Sequence, residues 1–354
     1  TRRGLEREIE RGFPFLPSGC QIVMDRQAQS LILENLRTQV ANSWKSMTAE
    51  LRAYGDLDLP TFVHESGIDL PDILRRGQRS WTQLRRDAGL PTPGGTPLEG
   101  QLLKRIRAFA HVDDELRAAG YRRLLSSNTP YADLTPAEQR LARMLFFSAF
   151  PSANGFPAYD DGLAAIRTEH AAVAELGAVI DLVFDETRHD ALPLTESLAN
   201  VPLRVHASYQ REEILAALDY ATLQRKPTSM MQGVAYSEQL NVDAFFVTLK
   251  KSEADYSPTT MYRDYPISST LFHWESQNAT SLASPAGQRY LKGSSTVLLF
   301  CRIEHKGEYD TAPYVFLGPA SYLNHVGERP IAITWELQHA MPSTFFESAT
   351  LAAS

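Results

Sequence analysis

Cysteine is nearly missing from this chain: Cys20 and Cys301 are the only two in 354 residues, and they stand far apart. A disulfide framework and any cysteine-built zinc site are excluded, and the usage suits a reducing cytoplasm. Long apolar runs are missing as well. Nothing approaches the ~18 uninterrupted apolar residues of a membrane helix, so a soluble protein without a membrane partner is expected. The first residues do not read as a secretory leader. The opening Thr1-Arg2-Arg3-Gly4 has no Met and suggests a piece of a longer polypeptide. Positive charge is also short, with 35 Lys+Arg against 42 Asp+Glu and a net charge of −7. Taken alone, that balance argues against a nucleic-acid partner.

Motifs for catalysis are absent too. There is no GxxxxGK[ST] loop, so the acidic strand-end mimics at 108–115 and 182–186 have no phosphate cradle to serve. No HExxH and no GxSxG occurs, and His305-Lys306-Gly307-Glu308-Tyr309-Asp310 has the wrong spacing for an HxKxxxxD nuclease. The chain itself is therefore expected to be neither ATPase nor nuclease, and to hold no cofactor or metal.

What is present is a change of texture near residue 200, in a chain long enough for about two domains at ~150 residues each. Leu33, Leu36, Val40, Trp44, Met47 and Leu51 recur every three or four positions, which predicts a long amphipathic helix over 22–54, closed by Gly55. Short helices are expected over 61–90, a helical stripe over 102–125, a capping-box helix opening at Thr135-Pro136-Ala137-Glu138, and one helix over 160–177. One more helix is expected at 209–220. Beyond it, Val242–Leu249, Val297–Cys301, Tyr314–Gly318 and the alternating Ile331–Leu337 read as strands. The fold class is thus α+β: a helical part over 1–200 and a β-rich domain over 201–354.

Between the strands lies a polar, aromatic stretch at 257–290 with little periodicity, and long loops of that kind in compact domains tend to be functional. It contains Tyr262-Arg263-Asp264-Tyr265-Pro266-Ile267-Ser268, Leu271-Phe272-His273-Trp274-Glu275-Ser276-Gln277 and Ser284-Pro285-Ala286-Gly287-Gln288-Arg289-Tyr290. With Val247–Glu253 before it, and Tyr314–Ala320 and Gly327–Trp335 after it, this pattern resembles the last domain of SauUSI-type, type IV restriction enzymes. In that family a phospholipase-D-type nuclease and a superfamily 2 helicase motor come first and a helical coupler follows. Gly12–Cys20 is similar to the segment just after the second motor lobe, and Ser80–Arg86 and His111–Asp114 are similar to the coupler.

The resemblance implies a coupler followed by a target-recognition domain that reads 5-methyl or 5-hydroxymethyl cytosine in duplex DNA. Its partners are then DNA and the helicase and nuclease parts of the same polypeptide. ATP and Mg are left to the motor, and a homodimer of the full-length protein is allowed. By analogy the β domain is a pseudobarrel like the SRA or plant B-three folds.

A protein that inspects a modified base extrudes it, stacks it between flat side chains and reads its edge. Tyr262, Tyr265, Phe272 and Trp274 offer stacking faces. Asp264, Ser268, Ser276 and Gln277 offer edge contacts, with Asp264 the first choice for the cytosine amino group. Core packing competes as the reading of Phe272 and Trp274. Lys250, Lys251, Arg263, His273, Arg289 and Lys292 are candidate phosphate contacts. From Gln232 onward, however, 8 basic residues face 12 acidic ones. In the coupler, Arg75, Arg76, Arg79, Arg85 and Arg86 suit either DNA phosphates or a docking surface for the motor. The alternatives are a regulatory module that couples motor to nuclease without reading a modification, and a metal site of Asp264, His273 and Glu275 that no ligand spacing supports.

Overall fold

Short polar side chains set the helix starts. Ser43, Asp58, Ser80, Asp114 and Thr135 each accept a backbone N–H in the first turn of the helix they precede, satisfying donors that have no intrahelical partner. In the computed structural model, residues 43–74, 79–187, 189–194, 196–230, 232–250 and 263–353 are described. They form two units, 43–107 with 169–182, and 108–168 with 183–353.

The first unit contains helices α1 (Trp44–Tyr54), α2 (Leu59–Ser66), α3 (Leu70–Ile73), α4 (Trp81–Asp87) and α5 (Glu99–Arg105). Gly55 closes α1 at φ 90°, its N–H donating to the Leu51 carbonyl. The single helix expected over 22–54 is interrupted: Ser43 is extended (φ −71°, ψ 148°) and caps a helix that begins at Trp44, and the part expected over 22–42 lies outside the described residues. Met47, Leu51, Phe62, Ile73 and Leu84 fill the core. Glu175 is buried beneath the start of α4 and accepts from the N–H groups of Trp81 (2.8 Å) and Thr82 (2.9 Å).

Next come α6 (Glu115–Ser126), α7 (Pro136–Ala149), α8 (Tyr159–Thr168), α9 (His170–Glu186) and α10 (Arg211–Ala217). The single helix expected over 160–177 is two, α8 and α9, parted at Glu169. That carboxylate is buried and takes both the N–H and the hydroxyl of Thr96, a contact 73 residues away in sequence that no local pattern announces. The capping box at Thr135 and Glu138 forms as read.

The second unit is built on a mixed sheet. Its strands are β4 (Val234–Ser237), β5 (Val242–Lys250), β6 (Tyr265–Pro266), β7 (Leu271–Glu275), β8 (Thr296–Glu304), β11 (Tyr314–Val326) and β12 (Ala332–Leu337), in the order β4-β5-β8-β11-β12-β7-β6. Short strands complete the set: β1 (Leu192–Pro193) with β2 (Arg204–Val205), β3 (Ser208–Tyr209) on β11, and β9 (Lys306–Gly307) with β10 (Asp310–Thr311). The β5–β8 pair is parallel and its crossover carries the β6–β7 hairpin and helix α11 (Pro285–Lys292). The stretch with little periodicity therefore contains two strands, β6 and β7, and most of a helix. The sheet is buried on both faces along β5 and β8. One face packs Phe245, Phe272, Trp274, Leu299, Ile333 and Trp335 into a core that includes Ala349 of α12 (Ser343–Ala353). On the other, the rings of Phe246, Phe300 and Phe316 stack in a row at 5.8 and 4.5 Å.

Candidate functional site

Strand β7 sorts the aromatic stretch by face, because successive side chains point to opposite sides of a sheet. Phe272 and Trp274 point into the core, where Trp274 lies parallel to Phe245 with ring centres 4.2 Å apart. His273 faces the other way and stacks on Tyr265, its cross-strand partner, at 4.6 Å. Tyr265 is 38% exposed.

Several polar residues of the hairpin hold the backbone. Asp264 accepts from Glu275 N–H, Glu275 accepts from Arg263 N–H, and Ser268 Oγ accepts from the N–H groups of Thr270 and Leu271. Ser276 is buried, its hydroxyl accepting from Ile331 N–H at 2.9 Å, and the Gln277 carbonyl closes a turn to Thr280. Lys250 and Lys292 are exposed. Tyr262 and Lys251 lie outside the described residues.

Arg289 serves a different partner. Its guanidinium donates twice, at 3.0 Å each, to Asp243, which is fully buried on β5, and its flat face covers the Tyr236 ring at 3.8 Å. Ser295 Oγ donates to the same carboxylate at 2.6 Å. Helix α11 and the chain entering β8 are thus clamped to the sheet. Of the coupler arginines, Arg75 and Arg76 lie outside the described residues. Arg79 covers Trp44, Arg85 binds Asp56 and the carbonyls of Leu57 and Pro91, and Arg86 grips Glu99 with both amino groups.

The clamp borders a cavity of about 380 Å³. Tyr290 and Lys292 of α11, Ser295, Tyr322 of β11, and Trp335 and Gln338 at the end of β12 are among its walls. Helix α11 is capped by Ser284 and ends at Gly293 with φ 58°, a left-handed turn that glycine adopts without strain. Burial, with Asp243 nearby, pushes the Tyr290 phenol above its ordinary value.

The opposite wall depends on an irregularity. The register of β11 shifts between Tyr322 and Asn324, and the extra residue of such a bulge re-aims the side chains around it. Tyr322 sits opposite Trp335, ring centres 6.5 Å apart and nearly perpendicular, and its hydroxyl meets His325 Nδ1 at 2.7 Å. Trp335 is 2% exposed, and its indole N–H finds no acceptor among the described residues. Flat walls, hydroxyl and amide groups and one cation suit a small planar ring with polar edges. Sequence reasoning named Lys292 here but passed over Ser295, Tyr322, Trp335 and Gln338. Trp335 looked like one more core position of an alternating strand, and Tyr322 follows the Gly318 at which a strand was expected to end.

A second polar cluster was also unexpected. Glu213, at the start of α10, is fully buried and receives His111 Nε2 (2.5 Å), Arg117 Nη1 (3.2 Å), Tyr121 OH (2.8 Å) and its own capped Gln210 N–H (2.9 Å). Arg117 also holds Asp113 and Asp114 and lies over the Tyr209 ring at 3.9 Å. Burial alone would raise the Glu213 carboxyl, but His111 and Arg117 outweigh it and hold it at about 2. The cluster joins the 111–117 and 208–213 segments, and every charge in it has a partner.

Among the described residues, no group of three or more His, Cys, Asp and Glu is arranged to hold a metal ion, and no helix is long and apolar enough to cross a membrane. No curated protein matches the chain. A family model described as a domain of unknown function, DUF3427, matches residues 203–349, the segment that contains the mixed sheet and every cavity wall named above.

Proposed function

We propose that this chain is the DNA-specificity portion of an ATP-dependent, modification-dependent restriction enzyme, and that it reads 5-methyl or 5-hydroxymethyl cytosine in duplex DNA by extruding the base. The observation that carries the reading is the cavity walled by Tyr290, Tyr322 and Trp335. Extrusion needs a pocket that stacks a ring and contacts its edge. At about 380 Å³ this one lies in the range of small-molecule sites. The resemblance of the aromatic stretch to the last domain of SauUSI-type enzymes supports the same reading.

In this proposal Lys292, exposed at the cavity wall, meets a phosphate next to the extruded nucleotide. Tyr265 and His273 offer a stacked pair on the open face of the hairpin to the flanking DNA. Nuclease and motor, with ATP and Mg, belong to other parts of the polypeptide. The pseudobarrel comparison with the SRA and plant B-three folds is part of this reading. Its support is the two register shifts of β11 within a mixed sheet, the kind of bulge by which sheets bend toward closure.

The test is a titration of two labelled duplexes of one sequence, with and without a single 5-methylcytosine. Tighter binding of the modified duplex is expected, with affinity that falls as salt rises. Equal binding of both overturns the reading and favours a module that couples motor and nuclease without reading a modification.

A further inference from the structure

An unpaired polar group in a protein interior requires an explanation, because its desolvation is uncompensated. Trp335 is such a case: it is almost wholly buried, it lines the cavity, and its N–H lacks an acceptor among the described residues. The neighbouring polar groups do not relieve it. Tyr322 OH is engaged with His325, and Ser295 Oγ donates to Asp243. Tyrosine and serine elsewhere in the wall can give or accept a hydrogen bond, whereas an indole N–H can only donate.

We infer that the Trp335 N–H is a specificity-determining contact, donating to a ring acceptor of the ligand that occupies the cavity. The inference rests on the base-extrusion reading and deepens it. A cytosine carries two adjacent acceptors, O2 and N3, on the side of the ring away from its 5-substituent. With that side held by Trp335, the 5-substituent lies toward the rest of the cavity. A site built around a buried donor rejects a ligand that cannot accept from it, because the donor is then left both unpaired and dry. Tyr290 and Tyr322, close to Trp335 in edge-to-face geometry, supply area without this selectivity.

The experiment is a proton–nitrogen NMR titration of the whole chain, which has four tryptophans and hence four indole signals. The Trp335 signal is assigned by its proximity to the rings of Tyr290 and Tyr322. Three duplexes are compared: one with 5-methylcytosine, one unmodified, and one abasic at the same position. The expected result is a downfield move of the Trp335 indole proton with the modified duplex and none with the abasic one. In parallel, Trp335→Phe should weaken binding of the modified duplex roughly three- to tenfold, the scale of one hydrogen bond, and leave binding of the abasic duplex unchanged. If the modified duplex binds preferentially and the indole signal stays in place at saturation, the inference fails and the base-extrusion reading survives. A move of equal size with the abasic duplex also overturns the inference. Equal binding of modified and unmodified duplexes overturns both.

Discussion

Arg289 shows how one partner changes the meaning of a side chain. Beside an aromatic stretch it reads as a phosphate contact, yet in the fold its Nε and one Nη donate to Asp243. Arg289→Ala leaves a buried carboxylate held by Ser295 alone, and should destabilise the chain by about 3 kcal/mol. Urea unfolding checks this; an unchanged midpoint would return Arg289 to the surface.

Glu213 makes a second residue-scale claim, about pH. Its carboxyl is held at about 2, below the ordinary 4.5, so its stabilising contribution is complete above 4.5 and is lost as pH falls from there toward 2. Glu175, raised by burial, works with the opposite sign: its contribution is complete below the ordinary value and is lost as pH rises through its folded value. Glu213→Gln should lower stability at neutral pH by about 3–5 kcal/mol and flatten the loss between pH 4.5 and 2, as read from unfolding midpoints. Neither role was legible beforehand. Arg289 is 46 residues from Asp243 and Glu213 is 102 from His111, and a one-dimensional pattern reports only near neighbours.

At the scale of elements, local chemistry was readable and register was not. Thr135-Pro136-Ala137-Glu138 announced its helix because a capping box is complete within four residues, and the alternation of Ile331–Leu337 found its strand. The β7 alternation was present in Leu271–Glu275, with Phe272 and Trp274 inward, but polar neighbours hid it inside an apparent loop. The bulge of β11 leaves no mark in the sequence, since nothing about Leu323 distinguishes it from its neighbours. Its consequence is large. Deleting Leu323 leaves the pairing of 324–326 with β12 in place but removes the local bend that aims Tyr322. Binding of a modified duplex should then be lost while far-UV circular dichroism is retained; unaltered binding would remove Tyr322 from the site.

For the molecule as a whole, the family match begins at residue 203, but the unit that holds the sheet also includes 108–168. That segment supplies His111, Asp113 and Asp114 from the turn before α6, and Arg117 and Tyr121 from α6, to the buried cluster around Glu213. A fragment of 203–354 loses these partners and should fail to unfold cooperatively on heating, whereas 108–354 should retain a sharp transition. A cooperative melt of the short fragment would contradict this account of the unit.

The α+β character and the change of texture near residue 200 were legible in composition. The cavity was not, because its walls come from α11, β11 and β12, which only the sheet order brings together. The net charge of −7, which taken alone argues against nucleic acid, is met in the proposed reading by a grip that is modest and salt-sensitive. The most direct test of base extrusion places 2-aminopurine beside the target cytosine and follows its fluorescence on binding. Extrusion removes its stacking neighbour, so the signal should rise with the 5-methylcytosine duplex and stay flat with the unmodified one. Saturated binding of the modified duplex without any rise would contradict base extrusion.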